Sequence, residues 1–295
     1  MPGSAGGSRA EAGAMHVIGI CRFSYPALGG FKRMHDTVED REAYLYAPER
    51  MALRFRHFET LTLPSVAAQT DKRFRFLVLT GTRMPDIYRE RLHALCAPVA
   101  QIRIVSAEPH RHRSITQEVI QSELGETEEE SLQFRLDDDD AVATDFVRSI
   151  RRTARQARRL RATWRNLVIE YSAGYAVQLT PGGIMAKRIQ GQFYACGLAV
   201  LFRPGDPKTV MNYGHHKMHH QMPTLIDPTT EMYLRAVHTD NDSKAGSDRT
   251  NLAPLDADTR ALFKTRFNVD EAAVTASFTA SGGQAGAQDA LRDKA

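Results

Sequence analysis

The chain has 295 residues, 42% of them hydrophobic and 25% charged, and carries a net charge of +4 at neutral pH. This composition suits a globular protein able to bury a sizeable core, and it excludes disordered and fibrous classes. No window approaches the ~18 consecutive apolar residues of a membrane span, and the N-terminus lacks the charged, apolar and small-residue order of a secretory signal, so a cytoplasmic protein is expected.

Residues 1–14 and 281–295 are small and polar, and they read as disordered tails on one folded unit, 15–280. Cys21, Cys96 and Cys196 lie far apart without a CxxC pair, which predicts buried free thiols.

Met15–Cys21 is a continuous apolar run that ends abruptly at Arg22, Phe23, Ser24 and Tyr25, the pattern of a buried strand meeting a loop. A helical stretch follows from about Pro48 to Phe58, then a short helix in LPSVAAQT and a second strand, 74–79. Residues 86–95 have helical spacing, 99–105 form a third strand, and Ser114 or Thr116 caps a helix that stops near Gly125. A fourth strand, 132–136, delivers Asp137, Asp138, Asp139 and Asp140.

From Asp145 to about Arg161 the arginines at 148, 151, 152, 155, 158 and 159 share one helical arc, opposite Phe146, Ile150, Ala154 and Ala157. Beyond this basic helix, 166–189 alternates like antiparallel strands around Gly182-Gly183, and 197–202 is one more strand. Gly29-Gly30 reads as another turn pair. Residues 231–237 (EMYLRAV) read as helical. The first half is thus a βαβαβαβ series that predicts a mostly parallel sheet, and the second half adds shorter, mixed strands: an α/β sandwich with an appended region.

Four adjacent carboxylates repel one another, and at the end of a buried strand they need a balancing charge. Mg²⁺ or Mn²⁺, hard ions that share carboxylate, water and phosphate oxygens, fit such a block. Strand alternation places Asp137 and Asp139 on one side, Asp138 and Asp140 on the other. Position supports a ligand site, because open α/β sheets bind ligands beyond the carboxyl ends of their strands. The competing reading is a solvated acidic loop, with Asp140 capping the next helix.

Ser65, Gln69, Thr70 and Phe74 before the second strand, with the aspartate block ending the fourth, resemble the nucleotide-sugar half of a GT-A glycosyltransferase. Arg22-Phe23-Ser24, the Gln69-Thr70 segment, Arg135–Asp140 and the late pair His238 and Asn241 together resemble the bacterial putative rhamnosyltransferases, over about residues 16–245. The resemblance implies a GT-A-like, Rossmann-like α/β/α sandwich, with 15–140 as the donor half and 141–280 as a mixed acceptor half. It further implies that Arg22, Phe23 and Ser24, and comparably Thr80 and Thr82, lie at the base and ribose. Asp137 is implied at the ribose side, with Asp138 beside it in the donor site, while Asp139, Asp140 and His238 hold the metal that bridges the diphosphate. A surface cation is the alternative for Arg22, and a helix C-cap for His238.

His215, His216, His219 and His220 have metal-ligand spacing but no cysteine or acid beside them, so surface histidines are the competing reading. The arginine stripe predicts either a solvated face or peripheral contact with anionic lipid; it lacks the aromatic interleaving of a nucleic-acid surface.

The expected activity is metal-dependent transfer of a sugar, rhamnose by the resemblance, from a nucleoside-diphosphate donor to a hydroxyl of a glycan or lipid-linked acceptor in bacterial glycan synthesis. Glu231 and Asp227 are candidate bases between which sequence does not choose, and a retaining enzyme needs none. Nucleotidyl or phosphohydrolase chemistry on the same carboxylates, and a non-catalytic nucleotide-binding domain, are the alternatives.

Overall fold

The computed structural model describes residues 15–29, 35–191, 193–238 and 247–279. Gly30, Asn241 and the two tails lie outside the described residues.

The strands are β1 Met15–Arg22, β2 Arg75–Gly81, β3 Ile102–Ala107, β4 Glu130–Arg135, β5 Ala141–Val142, β6 Leu167–Thr180, β7 Gly183–Gln190, β8 Leu198–Phe202, β9 Thr224–Ala236 and β10 Ala253–Pro254. They form one sheet in the order β10-β7-β6-β8-β4-β1-β2-β3, with β9 joined to both β6 and β5. Strands β3, β2, β1 and β4 run parallel, while β8 returns antiparallel to β4 and β6 antiparallel to β8.

The helices are α1 Val38–Leu45, α2 Pro48–His57, α3 Leu63–Ala67, α4 Asp86–Cys96, α5 His112–Leu124, α6 Phe146–Gln156, α7 Arg158–Thr163, α8 Ala257–Leu262 and α9 Glu271–Thr279. They cover both faces. Along β1, Val17 and Cys21 enter the core shared with α2, α4, α6 and α9, whereas Ile18 and Ile20 enter the core shared with α5 and residues 210–222. Burial on both sides explains why β1 reads as a continuous apolar run. The expected α/β/α sandwich with a mostly parallel sheet and a mixed C-terminal region is observed. All three cysteines are buried and free.

Four local expectations are corrected. Residues 231–236 are strand, not helix: they pair parallel with β6 and antiparallel with β5, and these ladders override their weak local preference. Met232, Tyr233 and Leu234 are all fully buried, so no alternation marks the strand in the sequence. Helix α5 starts at His112, because Leu28 N–H donates to His110 O (2.8 Å) and turns the chain there; the Thr116 hydroxyl donates back to His112 O (2.8 Å). Neither Ser114 nor Thr116 is its cap.

The basic helix breaks at Ala157 into α6 and α7. Within it Arg151 is interior: it pairs with Asp71 (3.0 Å), donates to Arg73 O (2.6 Å) and also to Met15 O. This arginine ties the start of β1 to the strand-entry loop before β2.

Losing one partner of such a pair strands the other in low dielectric. Arg151→Ala is expected to cost about 3–5 kcal/mol of unfolding free energy in urea titration, and Arg152→Ala, one residue on and exposed, less than about 0.5. Equal effects would refute the structural assignment of Arg151.

Candidate active site

Strands β1 and β4 end side by side at Arg22 and Arg135, and the aspartates follow directly. Leu136 N–H still donates to Ile20 O (3.1 Å), but Asp140 N–H donates to Asp137 O (3.2 Å), which closes the block into a tight turn. The expected alternation is therefore corrected. One oxygen each of Asp137, Asp139 and Asp140 comes within 4.8 Å of the others, while Asp138 turns toward Arg54 (3.0 Å).

The turn is braced from below by helix α3 and the π-helical turn Phe58–Thr62 that joins it to α2. The Thr62 hydroxyl donates to Asp140 O (2.8 Å), Gln69 Nε2 donates to Ala143 O (2.8 Å), and Gln69 Oε1 accepts from Val147 N–H (3.0 Å). Thr70 N–H donates to Thr144 O (2.7 Å), and Ser65 Oγ accepts from Val142 N–H (3.3 Å). Ser65 and Gln69 are buried and hold the loop that follows the aspartates.

Arg54, from α2, also donates to Asp139 Oδ2 (2.8 Å), and His238 Nε2 lies 2.8 Å from the same oxygen. Burial pushes the Asp138 carboxyl up to about 6 against the pull of Arg54. Asp139 is equally buried, yet Arg54 and His238 hold it well below the usual carboxylate range. Asp140 is pushed up by burial and by Asp139 and Asp137, while its Oδ1 accepts from Ala236 N–H (2.9 Å).

Above the aspartates opens a cleft. Six arginines line it: Arg22, Arg41, Arg50, Arg54, Arg135 and Arg235. Arg50 donates to the Ser24 hydroxyl (3.0 Å), whose residue sits at φ 48°, a left-handed conformation that costs energy outside glycine. Arg135 approaches His215 Nδ1 (2.5 Å), and Arg22 lies 3.6 Å from Asp137. On the far wall Arg235 lies over the Tyr194 ring (4.8 Å), and both residues contact Asp248.

Arg22, Arg113 and Arg135 gather positive charge on the Arg22–Arg135 side. Burial together with Arg22, Arg135 and Arg113 pushes the His112 imidazole down to about 3, and burial with Arg135 pushes His215 down to about 4. Such a wall favours an anion.

The residues also fit a hard divalent cation. Three carboxylates converge, and buried Asp138 Oδ2 has no hydrogen-bond partner among the described residues. The histidine run 215–220 offers no comparable group among those residues; His219 stacks on Phe193.

The sequence model of the family described as "Putative rhamnosyl transferase" matches residues 16–250. The chain belongs to this family of glycosyltransferases. No match is found among the curated proteins. Among solved structures the chain is similar to S. aureus TarS 1–349 at 12% identity and a TM-score of 0.39, covering 75% of this chain and 60% of that one. For the same TarS fragment in complex with UDP-GlcNAc the values are 10%, 0.41, 77% and 60%. A putative glucose-1-phosphate thymidylyltransferase from Bacillus anthracis gives 8%, 0.34, 75% and 89%. The chain thus spans about 60% of the TarS fragment's length.

Of the residues expected at the site of this rhamnosyl transferase-family chain, Arg22, Ser24 and all four aspartates line the cleft. Phe23 does not: it is fully buried against Phe55 (4.9 Å between ring centres) and Phe58 (5.2 Å). Thr80 is buried beside the Ser106 hydroxyl (3.1 Å), and Thr82 donates to Glu108 (2.7 Å); neither lines the cleft. His238 stands on Asp139 at the end of a strand, so the helix-cap alternative does not apply.

Glu231 is paired with Arg188 (2.8 Å), and Asp227 accepts from Thr229 at the irregularity in β9, both away from the cleft. Sequence reasoning missed Arg41, Arg50, Arg54, Tyr194, His215 and Arg235 as cleft residues. Arg50 and Arg54 carried a signal, since arginines four apart share one helix face.

Behind His238 lies His57, whose ring is 4.6 Å away and whose Nδ1 donates to Leu53 O (2.9 Å). Burial and then His238 push its imidazole down to about 4. An unfolded histidine titrates near 6.5, so on acidification the unfolded chain binds this proton first. The stability held by neutral His57 is intact above about 6.5 and drains as pH falls toward about 4. The unfolding free-energy gap between wild type and His57→Asn is expected to narrow by up to about 3 kcal/mol between about pH 7.5 and 4.5. A gap independent of pH would show that the ring is not held neutral.

Proposed function

We propose that this chain is a GT-A-type glycosyltransferase that moves a sugar from a nucleoside-diphosphate donor to a hydroxyl acceptor. The observation that carries the reading is the pairing, in one cleft, of a converging aspartate triad with a wall of arginines. A diphosphate is a compact dianion or trianion, and guanidinium forks match its oxygens. The family's description makes rhamnose the sugar to test first.

In this reading Asp137, Asp139 and Asp140 hold Mg²⁺ or Mn²⁺, with His238 backing Asp139. The bound ion would neutralise charge on the departing nucleoside diphosphate. Arg22 and Arg135 bind and orient the diphosphate from the β1 and β4 ends, and Arg235 does so from the opposite wall. Ser24, fixed by Arg50, shapes the floor near the donor. Arg54 keeps Asp139 ionised, so its carboxylate stands ready as an oxygen donor. No carboxylate outside the aspartate block lines the cleft among the described residues. A base for the acceptor hydroxyl is therefore not assigned to Glu231 or Asp227.

Titration calorimetry with UDP, GDP and dTDP, each with and without Mn²⁺, tests the reading. One nucleotide is expected to bind only with the metal, and Asp137→Asn, at a half-exposed site, is expected to weaken it at least about tenfold, equivalent to about 1.4 kcal/mol. Metal-independent binding that Asp137→Asn leaves unchanged would overturn it.

A further inference from the structure

We propose that the end of the molecule built by α6, α7 and the start of β9 docks on an anionic phospholipid bilayer. Arg152, Arg155, Arg158 and Arg159 are all exposed there, and none has an acidic partner among the described residues. In this they differ from Arg151, which the fold consumes.

Apolar side chains lie at the same end of the sheet, where β6 and β9 begin. Trp164 is 51% exposed and Ile226 43%, two of four large hydrophobic side chains exposed among the described residues. Leu160 and Leu225 line one shallow groove with Arg158 and Arg159. Leu225 and Ile226 are successive residues of β9 and face opposite sides of the sheet, Leu225 the groove under α7 and Ile226 the side on which Trp164 lines a second groove with Lys208, Tyr213 and Met222; the two sides meet at the end where β6 and β9 begin. Arg203 donates to the backbone carbonyls of Arg161 (2.6 Å), Ala162 (3.2 Å) and Trp164 (3.4 Å), which fixes the loop that presents the indole.

Guanidinium groups attract lipid phosphates, while indole and branched aliphatic groups gain from the boundary between headgroup and hydrocarbon. A nucleic acid would meet the same cations but offers nothing to Leu160, Leu225 and Ile226. That difference favours the bilayer.

The docking end is also remote from the cleft. Arg161 pairs with Glu130 where β4 begins, and Arg151 reaches Met15 where β1 begins, whereas the cleft lies where those strands end. A docked molecule holds its cleft about 20 Å from the bilayer, one strand length at ~3.3 Å per residue. Lipid contact and donor binding thus fall on separate surfaces and fail separately.

Trp164 is the single tryptophan of the chain, so intrinsic emission reports this surface directly. The full chain is mixed with phosphatidylcholine vesicles, with or without roughly one-third phosphatidylglycerol, and followed by emission and co-sedimentation. Anionic vesicles are expected to shift the emission to the blue and carry the protein down, neutral vesicles to do neither, and ~0.5 M salt to reverse both. The triple variant Arg155→Glu, Arg158→Glu, Arg159→Glu is expected to lose at least about tenfold in partitioning while keeping its urea midpoint and nucleotide affinity. Trp164→Phe is expected to sediment with anionic vesicles without the emission change. Absence of a shift with anionic vesicles, equal binding to neutral ones, or binding that survives charge reversal in a folded variant overturns the proposal. So does a response to an RNA oligonucleotide but not to vesicles.

Discussion

Everything at the cleft depends on how four consecutive carboxylates are kept at the end of a buried strand. Three of them are nearly inaccessible, and each left alone would protonate rather than stay charged in low dielectric. The balance comes mainly from one side chain, Arg54, which reaches both Asp138 and Asp139 from α2. Its reach requires α2 to lie against the β4 end, and the hydrogen bonds of Thr62, Ser65 and Gln69 set that geometry. Electrostatics and backbone bracing are two aspects of one constraint.

The sheet extends this constraint across the molecule. Strand β9 pairs with β5, immediately after the aspartates, and with β6, the long strand of the second half. It therefore delivers Arg235 to the same cleft that β1 and β4 open from the other side, and His238 to Asp139. Residues more than ninety positions apart meet at 2.8 Å because two ladders fix a single register.

The parts of this arrangement visible in the sequence were those with a local signature. The apolar runs of β1 and β2, the helical spacing of α4 and α5 and the aspartate block all announce themselves within a few residues. Strand β9 does not, because burial on both faces hides its alternation and Glu-Met-Tyr-Leu-Arg-Ala-Val has no strong preference of its own. The role of Arg151 is hidden for a related reason: a helical arc says which residues share a side, but not that Asp71 and two carbonyls wait beneath one of them. Phe23 sits beside cleft residues in sequence, yet turns into an aromatic cluster that only the tertiary structure reveals. The cleft arginines of α1 and α2 are legible as charges but not as lining, since their direction is set by helices packing above the sheet.

The Ser65–Gln69–Thr70 bracket carries a consequence for how such sites are mapped by mutagenesis. The Ser65 and Gln69 side chains and the Thr70 amide satisfy main-chain groups of the segment after the aspartates, and none of the three residues lines the cleft. Replacing Gln69 therefore displaces carboxylates it never touches, and the loss would look like that of a ligand contact. A residue can set the position of a charge while being invisible from the solvent side of the pocket.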